Sequence, residues 1–204
     1  MKSGLKKKLF NLFPTNIMHF NLQDQKEFKA FDKIIDDIRY ADTSAGGITE
    51  GDVRTCYEDD WHEKVRVLPI WDELDALMLS CVSNYCYMQS IEPLIISNSW
   101  YTIMNKGSRV HRHRHEDSVV SGTLFLKMPE GSHGLAFVNP TIPYRMRERN
   151  NQTNDSNAVV HLQEVKEGDM LIYPSWLEHF VPPISCDDRI TISFNTDYPI
   201  YREE

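Results

Sequence analysis

Gly107-Ser-Arg-Val-His111-Arg-His113-Arg-His115-Glu-Asp117-Ser-Val-Val-Ser121-Gly122 is the stretch on which the reading of the fold turns. Three histidines and an aspartate recur in it at every second residue. Side chains of an extended chain alternate between faces, so this spacing predicts His111, His113, His115 and Asp117 on one side and Arg112, Arg114 and Glu116 on the other. Neutral imidazoles beside a carboxylate suit Fe(II), and a facial set of two histidines and one carboxylate leaves coordination positions open for a co-substrate and dioxygen. The plainer alternative is a solvated strand or basic patch, since Arg109, Arg112 and Arg114 interleave with the histidines.

A further ligand has to come from elsewhere in the chain. His179 is the candidate, because in Leu171-Ile-Tyr-Pro-Ser-Trp-Leu-Glu-His-Phe-Val-Pro-Pro183 a strand ends in a proline turn and returns, and rolled sheets bring such strand ends together. The isolated histidines His19, His62, His133 and His161 read as surface or satisfied core residues. Ten residues beyond His179, Arg189-Ile-Thr-Ile-Ser-Phe-Asn195 alternates strictly between polar and apolar side chains, which predicts a half-buried strand. With Ile190, Ile192 and Phe194 packed on helices or on an opposite sheet, Arg189 can grip a carboxylate bidentately and Thr191 or Ser193 can add a hydroxyl donor. A dicarboxylate fits that arrangement. The competing reading of Arg189 is a surface salt bridge to Asp187 or Asp188, which would carry little energy.

Around these segments the texture of the chain changes once. After an edge element near 16–20, residues 22–39 carry Phe28, Phe31, Ile34, Ile35 and Ile38 at three- and four-residue spacing, which predicts an amphipathic helix. Residues 41–60 have no period and read as a loop. A second helix over about 71–88 places Leu74, Leu77, Met78, Cys81, Val82 and Tyr85 on one face. From Pro93 onward, short alternating runs broken by Gly, Pro and Asn predict strands near 94–104, 118–127, 134–138, 158–163, 169–173 and 189–195. The polar run 147–157 reads as an excursion between strands, and its Asn151 and Asn154 sequons are discounted because nothing suggests secretion. Helices followed by strands predict a mainly β fold, an antiparallel sandwich or barrel with N-terminal helices packed outside the sheets. We read residues 1–204 as one domain, 1–92 being a helical support region and 93–204 the β-helix core.

Composition narrows the function further. A net charge of −8 with pI near 5.5 lacks the basic footprint that tracks a phosphate backbone, so nucleic acid is not an expected partner. The run Lys6-Lys7-Lys8 is too short and interrupted to open a signal peptide and reads as a solvated end. No stretch approaches the roughly 20 apolar residues of a membrane helix, so a soluble protein of the cytoplasm is expected, that of a host cell if the source is viral. Cys56, Cys81, Cys86 and Cys186 lack paired Cys-x-x-Cys spacing and read as buried thiols. Trp100 and Tyr144 read as core residues.

Together these segments resemble a known family: the 2-oxoglutarate- and Fe(II)-dependent oxygenases found in marine phages and bacteria, related to the prolyl-hydroxylase-like oxygenases. The resemblance is carried by Leu12-Phe13-Pro14-Thr15, Trp100, His113-Arg-His115-Glu-Asp-Ser118 with Ser121-Gly122, Pro174-Ser-Trp-Leu-Glu-His179, and Arg189 through Asn195. It implies a double-stranded β-helix of the jelly-roll or cupin-like kind, Fe(II) and 2-oxoglutarate as cofactor and co-substrate, dioxygen as oxidant, and hydroxylation of a second substrate with release of succinate and CO2. Where the wider superfamily has His-x-Asp, this chain offers both His113-x-His115 and His115-x-Asp117. On chemical grounds the set His115, Asp117 and His179 is preferred, because an anionic ligand partly neutralises the metal; His113 then supports the ligands or replaces Asp117. Arg189 and Thr191 are expected to anchor the far carboxylate of 2-oxoglutarate. The chain departs from the family pattern at Glu116 and at Thr123-Leu124-Phe125, which bears on the substrate side. Two other classes compete: a cupin-like metalloenzyme without 2-oxoglutarate that uses His113, His115 and His179, and a non-catalytic jelly-roll binding or structural module. Neither the primary substrate nor the oligomeric state is encoded legibly.

Overall fold

The computed structural model describes residues 8, 12–41, 47–57, 65, 68, 71–145, 152–154 and 156–199. Its centre is two antiparallel sheets laid face to face. In chain order the strands are β1 (Met18–Asn21), β2 (Thr49–Glu50), β3 (Val53–Thr55), β4 (Ile95–Met104), β5 (Arg109–His113), β6 (Val120–Lys127), β7 (Ala136–Val138), β8 (Val160–Leu162), β9 (Asp169–Pro174), β10 (His179–Val181) and β11 (Arg189–Asp197). One sheet runs β1-β9-β6-β11-β4-β3 and the other β2-β5-β10-β7-β8. This is the double-stranded β-helix that the family resemblance implies.

Alternation on the larger sheet makes two cores. Tyr101, Ile103, Leu124, Met170, Ile172, Ile190, Ile192 and Phe194 face outward and pack with two helices. The first, α1 (Phe31–Tyr40), buries Phe31, Ile34, Ile35 and Ile38; these positions fall within one helical face, and each such side chain contributes about 1.5–3 kcal/mol on burial. The second, α2 (Trp71–Gln89), buries Trp71, Leu74, Met78, Cys81, Val82, Tyr85 and Cys86. Opposite-parity residues of the same strands, among them Met104, Phe125, Leu171 and Tyr173, join Val53, Leu135, Phe137, Leu177, Val181 and Ile184 between the sheets. All six strands expected from the sequence recur within two residues at each end, 134–138 and 158–163 being shortened to β7 and β8.

Several expectations are corrected. Residues 22–39 are not one helix: Lys26–Ala30 is a 3-10 turn and the α-helix starts at Phe31. The stretch 41–60 is not all loop, since β2 pairs with β5 and β3 with β4. Strands of two and three residues are too short to announce themselves by period, and only their partners stabilise them. Gly51 turns the chain between them at φ +96, with the backbone of Ser108 where a Cβ would sit, so only glycine fits. Tyr144 is 87% exposed rather than core. Cys56, Cys81 and Cys86 are buried but Cys186 is only partly so. Lys6, Lys7, His62 and Asn151 lie outside the described residues. No helix among the described residues is long and apolar enough to cross a membrane.

Candidate metal centre

His113 ends β5 and His179 opens β10, and the two are direct cross-strand partners. His115 follows just beyond the strand, where its amide donates to the carbonyl of Ser175 (3.0 Å) in the turn before His179. One side-chain donor atom from each of His113, His115 and His179 lies within 4.8 Å of the other two. Their rings are 4.3–5.2 Å apart between centroids, His115 and His179 being stacked at 11°.

The backbone prepares two of these rings for a cation. Nδ1 of His113 donates to the carbonyl of His111 (2.8 Å) and Nδ1 of His179 to that of Leu177 (2.9 Å). A carbonyl can only accept, so each ring carries its proton on Nδ1 and presents the lone pair of Nε2, as metal-bound histidines usually do. Burial lowers the pKa of all three. His115 falls to about 4, with His113 adding a like charge, and His179 to about 3, with His113 and His115 opposing protonation and the Leu177 carbonyl partly offsetting them; His113 is lowered too. All three are therefore neutral, the form that binds metal.

Asp117, the preferred carboxylate, is not in this cluster. It sits exposed in the turn after His115. His111 is also turned away, exposed and 3.5 Å from Glu50. The cause is a register shift between β5 and β10, where Val110 pairs with Val181 but His113 with His179. Three residues on β5 span two on β10, the mark of a β-bulge, which reverses the alternation. Val110 and His113 accordingly both line the cavity, although strict alternation would put them on opposite faces. Of the isolated histidines, His19 is paired with buried Asp169 (2.9 Å) and His161 is exposed beside Gln163 (3.2 Å). Neither these nor His133 belongs to the cluster.

Beneath the histidines lies a cavity of about 70 Å³. The inward face of β11 supplies Arg189, Thr191 and Ser193, as its alternation predicts. Arg189 is 2% exposed. Its Nε donates to the carbonyl of His133 (2.9 Å), Nη1 lies 3.5 Å from the sulfur of Met104, and Nη2 has no hydrogen-bond partner among the described residues. The guanidinium also lies over the ring of Phe125, 5.6 Å from its centroid. Burial lowers its pKa to about 10, so it remains a cation at neutral pH. A salt bridge to the neighbouring aspartates does not form: Asp188 is taken by Arg39 and Lys127, and Asp187 accepts from the amide of Lys106.

A buried polar bridge holds the pieces in place. The hydroxyl of Ser121 on β6 contacts Ser175 (2.8 Å) and Asn195 on β11 (2.8 Å), tying the turn before His179 to the larger sheet. The sequence shows all three residues, but only strand pairing shows that they meet. Trp100 packs its ring 5.7 Å from that of His115 and lines the cavity. Tyr173, Thr123 and Thr102 line it as well and were not foreseen; the alternation of β9, β6 and β4 carries the only signal for them. No acidic side chain lines the cavity among the described residues.

Comparison with known proteins agrees with this geometry. Residues 98–195 match the family described as "Putative 2OG-Fe(II) oxygenase". No curated protein matches the sequence. Among solved structures, HygX from Streptomyces hygroscopicus, crystallised with nickel, 2-oxoglutarate and hygromycin B, is similar at 16% identity and TM-score 0.60, over 93% of this chain and 85% of that one. A prolyl-4-hydroxylase from Pseudomonas putida is similar at 12% identity and TM-score 0.61, over 91% and 94%. A viral collagen prolyl hydroxylase from Paramecium Bursaria Chlorella virus-1, in its 2OG complex, is similar at 12% identity and TM-score 0.56, over 90% and 96%. At these identities the likeness is one of fold.

Proposed function

We propose that the whole chain is one 2-oxoglutarate-dependent oxygenase domain in which His113, His115 and His179 hold Fe(II), a reading supported by the match of residues 98–195 to the 2OG-Fe(II) oxygenase family. The observation that carries this is the meeting of two remote segments: three neutral histidines at one end of a cavity and the unpaired Nη2 of Arg189 in its wall. A buried guanidinium lacking a partner is costly, and a carboxylate from 2-oxoglutarate would supply the missing acceptors. Thr191 adds a hydroxyl beside it.

Fe(II) with 2-oxoglutarate and dioxygen would supply an oxidant that hydroxylates a C–H bond of a second substrate, leaving succinate and CO2. The chain's own part is positional. His113 and His179 would hold the cation through Nε2 with His115 beside them, Arg189 would hold the far end of the dicarboxylate, and the wall of Trp100, Val110, Phe180 and Val181 would exclude water from the reacting centre.

The all-histidine set is equally the ligand set of a cupin-like metalloenzyme that uses no 2-oxoglutarate. Arg189 separates the two readings. Succinate release from 2-oxoglutarate by the Fe(II)-loaded protein, measured with and without candidate substrates, is expected under the oxygenase reading; absence of turnover in every condition, with iron bound, removes it.

A further inference from the structure

Tyr173 stands against the one ring nitrogen of His179 that a cation would use. Its hydroxyl is 3.3 Å from Nε2 of His179 and 3.4 Å from the hydroxyl of Thr123, which in turn is 3.3 Å from that of Ser193. Because Nδ1 of His179 is committed as donor to Leu177, Nε2 can only accept, so the phenol donates to it. The phenol is always available to do so: its burial raises its pKa far above neutrality. The ring cannot swing aside, being 2% exposed and packed edge-on against Phe137 (5.1 Å) and His179 (4.8 Å). Only the hydroxyl hydrogen has freedom, and both acceptors lie within reach of the same oxygen.

We propose that Tyr173 is a positioning residue of the metal site, its hydroxyl donating to Nε2 of His179 while that lone pair is free and turning to Thr123 once a cation engages it. The inference rests on the reading of His113, His115 and His179 as ligands. Two consequences follow from one shared lone pair. Before loading, the hydrogen bond satisfies a buried acceptor and holds the His179 ring toward the other two. During loading it is a competitor, whose loss is compensated only because Thr123 offers an alternative acceptor. The line Tyr173–Thr123–Ser193 then ends beside Thr191 and Arg189 on β11, so the hydroxyl groups of the cavity reorganise together rather than leaving one unsatisfied.

Chelated full-length protein titrated with Ni(II) tests this by calorimetric affinity and by the Tm of the metal-free and loaded forms. Tyr173→Phe keeps the ring and removes the donor. It should lower the metal-free Tm, since Nε2 loses its partner, while tightening Ni(II) binding by about tenfold, equivalent to about 1.4 kcal/mol. Thr123→Val removes the alternative acceptor and should act in the opposite sense, weakening Ni(II) several-fold with little change in the metal-free Tm. Unchanged or weaker binding in Tyr173→Phe, with equal Tm losses in both forms, would show a purely packing role and overturn the proposal while leaving the metal site intact. Failure of the wild-type protein to bind one Ni(II) would instead overturn the ligand assignment beneath it, and with it the proposal.

Discussion

Asp117 and His113 exchange roles between the linear and the folded chain. A carboxylate is the chemically reasonable third ligand, yet Asp117 is exposed in a turn and His113 faces His179 across a strand pair. Asp117→Asn should therefore leave metal stoichiometry and affinity unchanged in equilibrium dialysis, whereas His113→Ala or His179→Ala should lose at least about tenfold in affinity, the lower end for even supporting residues of metal sites. A loss in Asp117→Asn as large as that in His113→Ala would restore the carboxylate. On the proposed reading, three neutral histidines and the Arg189 cation, with no acid in the cavity wall among the described residues, would leave the counter-charge to a bound dicarboxylate. Arg189→Met should raise the KM for 2-oxoglutarate by about 10–100-fold, the scale of charge-assisted hydrogen bonds worth about 1.5–3 kcal/mol. Metal affinity in that variant should not move; a KM equal to wild type would remove Arg189 as the anchor, and absence of 2-oxoglutarate turnover in the wild type would favour the enzyme without 2-oxoglutarate.

At the scale of elements, strand β11 was legible and strand β5 was not. Seven residues of strict alternation place Ile190, Ile192 and Phe194 against the helices and Arg189, Thr191 and Ser193 in the cavity, as the period demands. The same rule fails on β5 because a bulge is a property of the pairing with β10 rather than of either strand alone. Helix α1 was legible in its buried face but not in its start, since the preceding 3-10 turn shares the same apolar residues. Gly122 shows a further constraint between strands. A Cβ there would lie 2.1 Å from the Phe194 ring, itself fully buried under the helices. Gly122→Ala should destabilise the protein by about 1–3 kcal/mol, the usual cost of overpacking, read as a lower denaturation midpoint with unchanged m-value; an unaltered midpoint would mean that the helix layer yields easily.

For the molecule as a whole, burying three neutral imidazoles links stability to pH. The unfolded chain protonates them near the ordinary histidine value of 6.5, while in the metal-free fold His115 resists until about 4 and His179 until about 3. Above pH 6.5 both states are neutral and the histidines add no pH dependence. Below it the unfolded state takes up protons that the fold refuses, so stability falls steadily as pH drops from 6.5 toward 4. The chelated protein should show this loss in its Tm, and His179→Leu should flatten the slope between pH 6.5 and 5. An identical slope in that variant would mean that other groups govern the decline.

By itself the sequence determined the layered plan and the chemistry on offer: helices before strands, a row of histidines, a proline turn ending in His179, and an alternating strand led by Arg189. These are local signals, set by side-chain period and by residue type, and a linear chain carries them in full. Tertiary structure alone decided which histidines meet, where the bulge turns His111 away, that Asp117 is exposed, and that the Tyr173 hydroxyl stands 3.3 Å from Nε2 of His179. Those outcomes depend on register between strands as far apart as residues 113 and 179, and register is fixed by packing two faces at once.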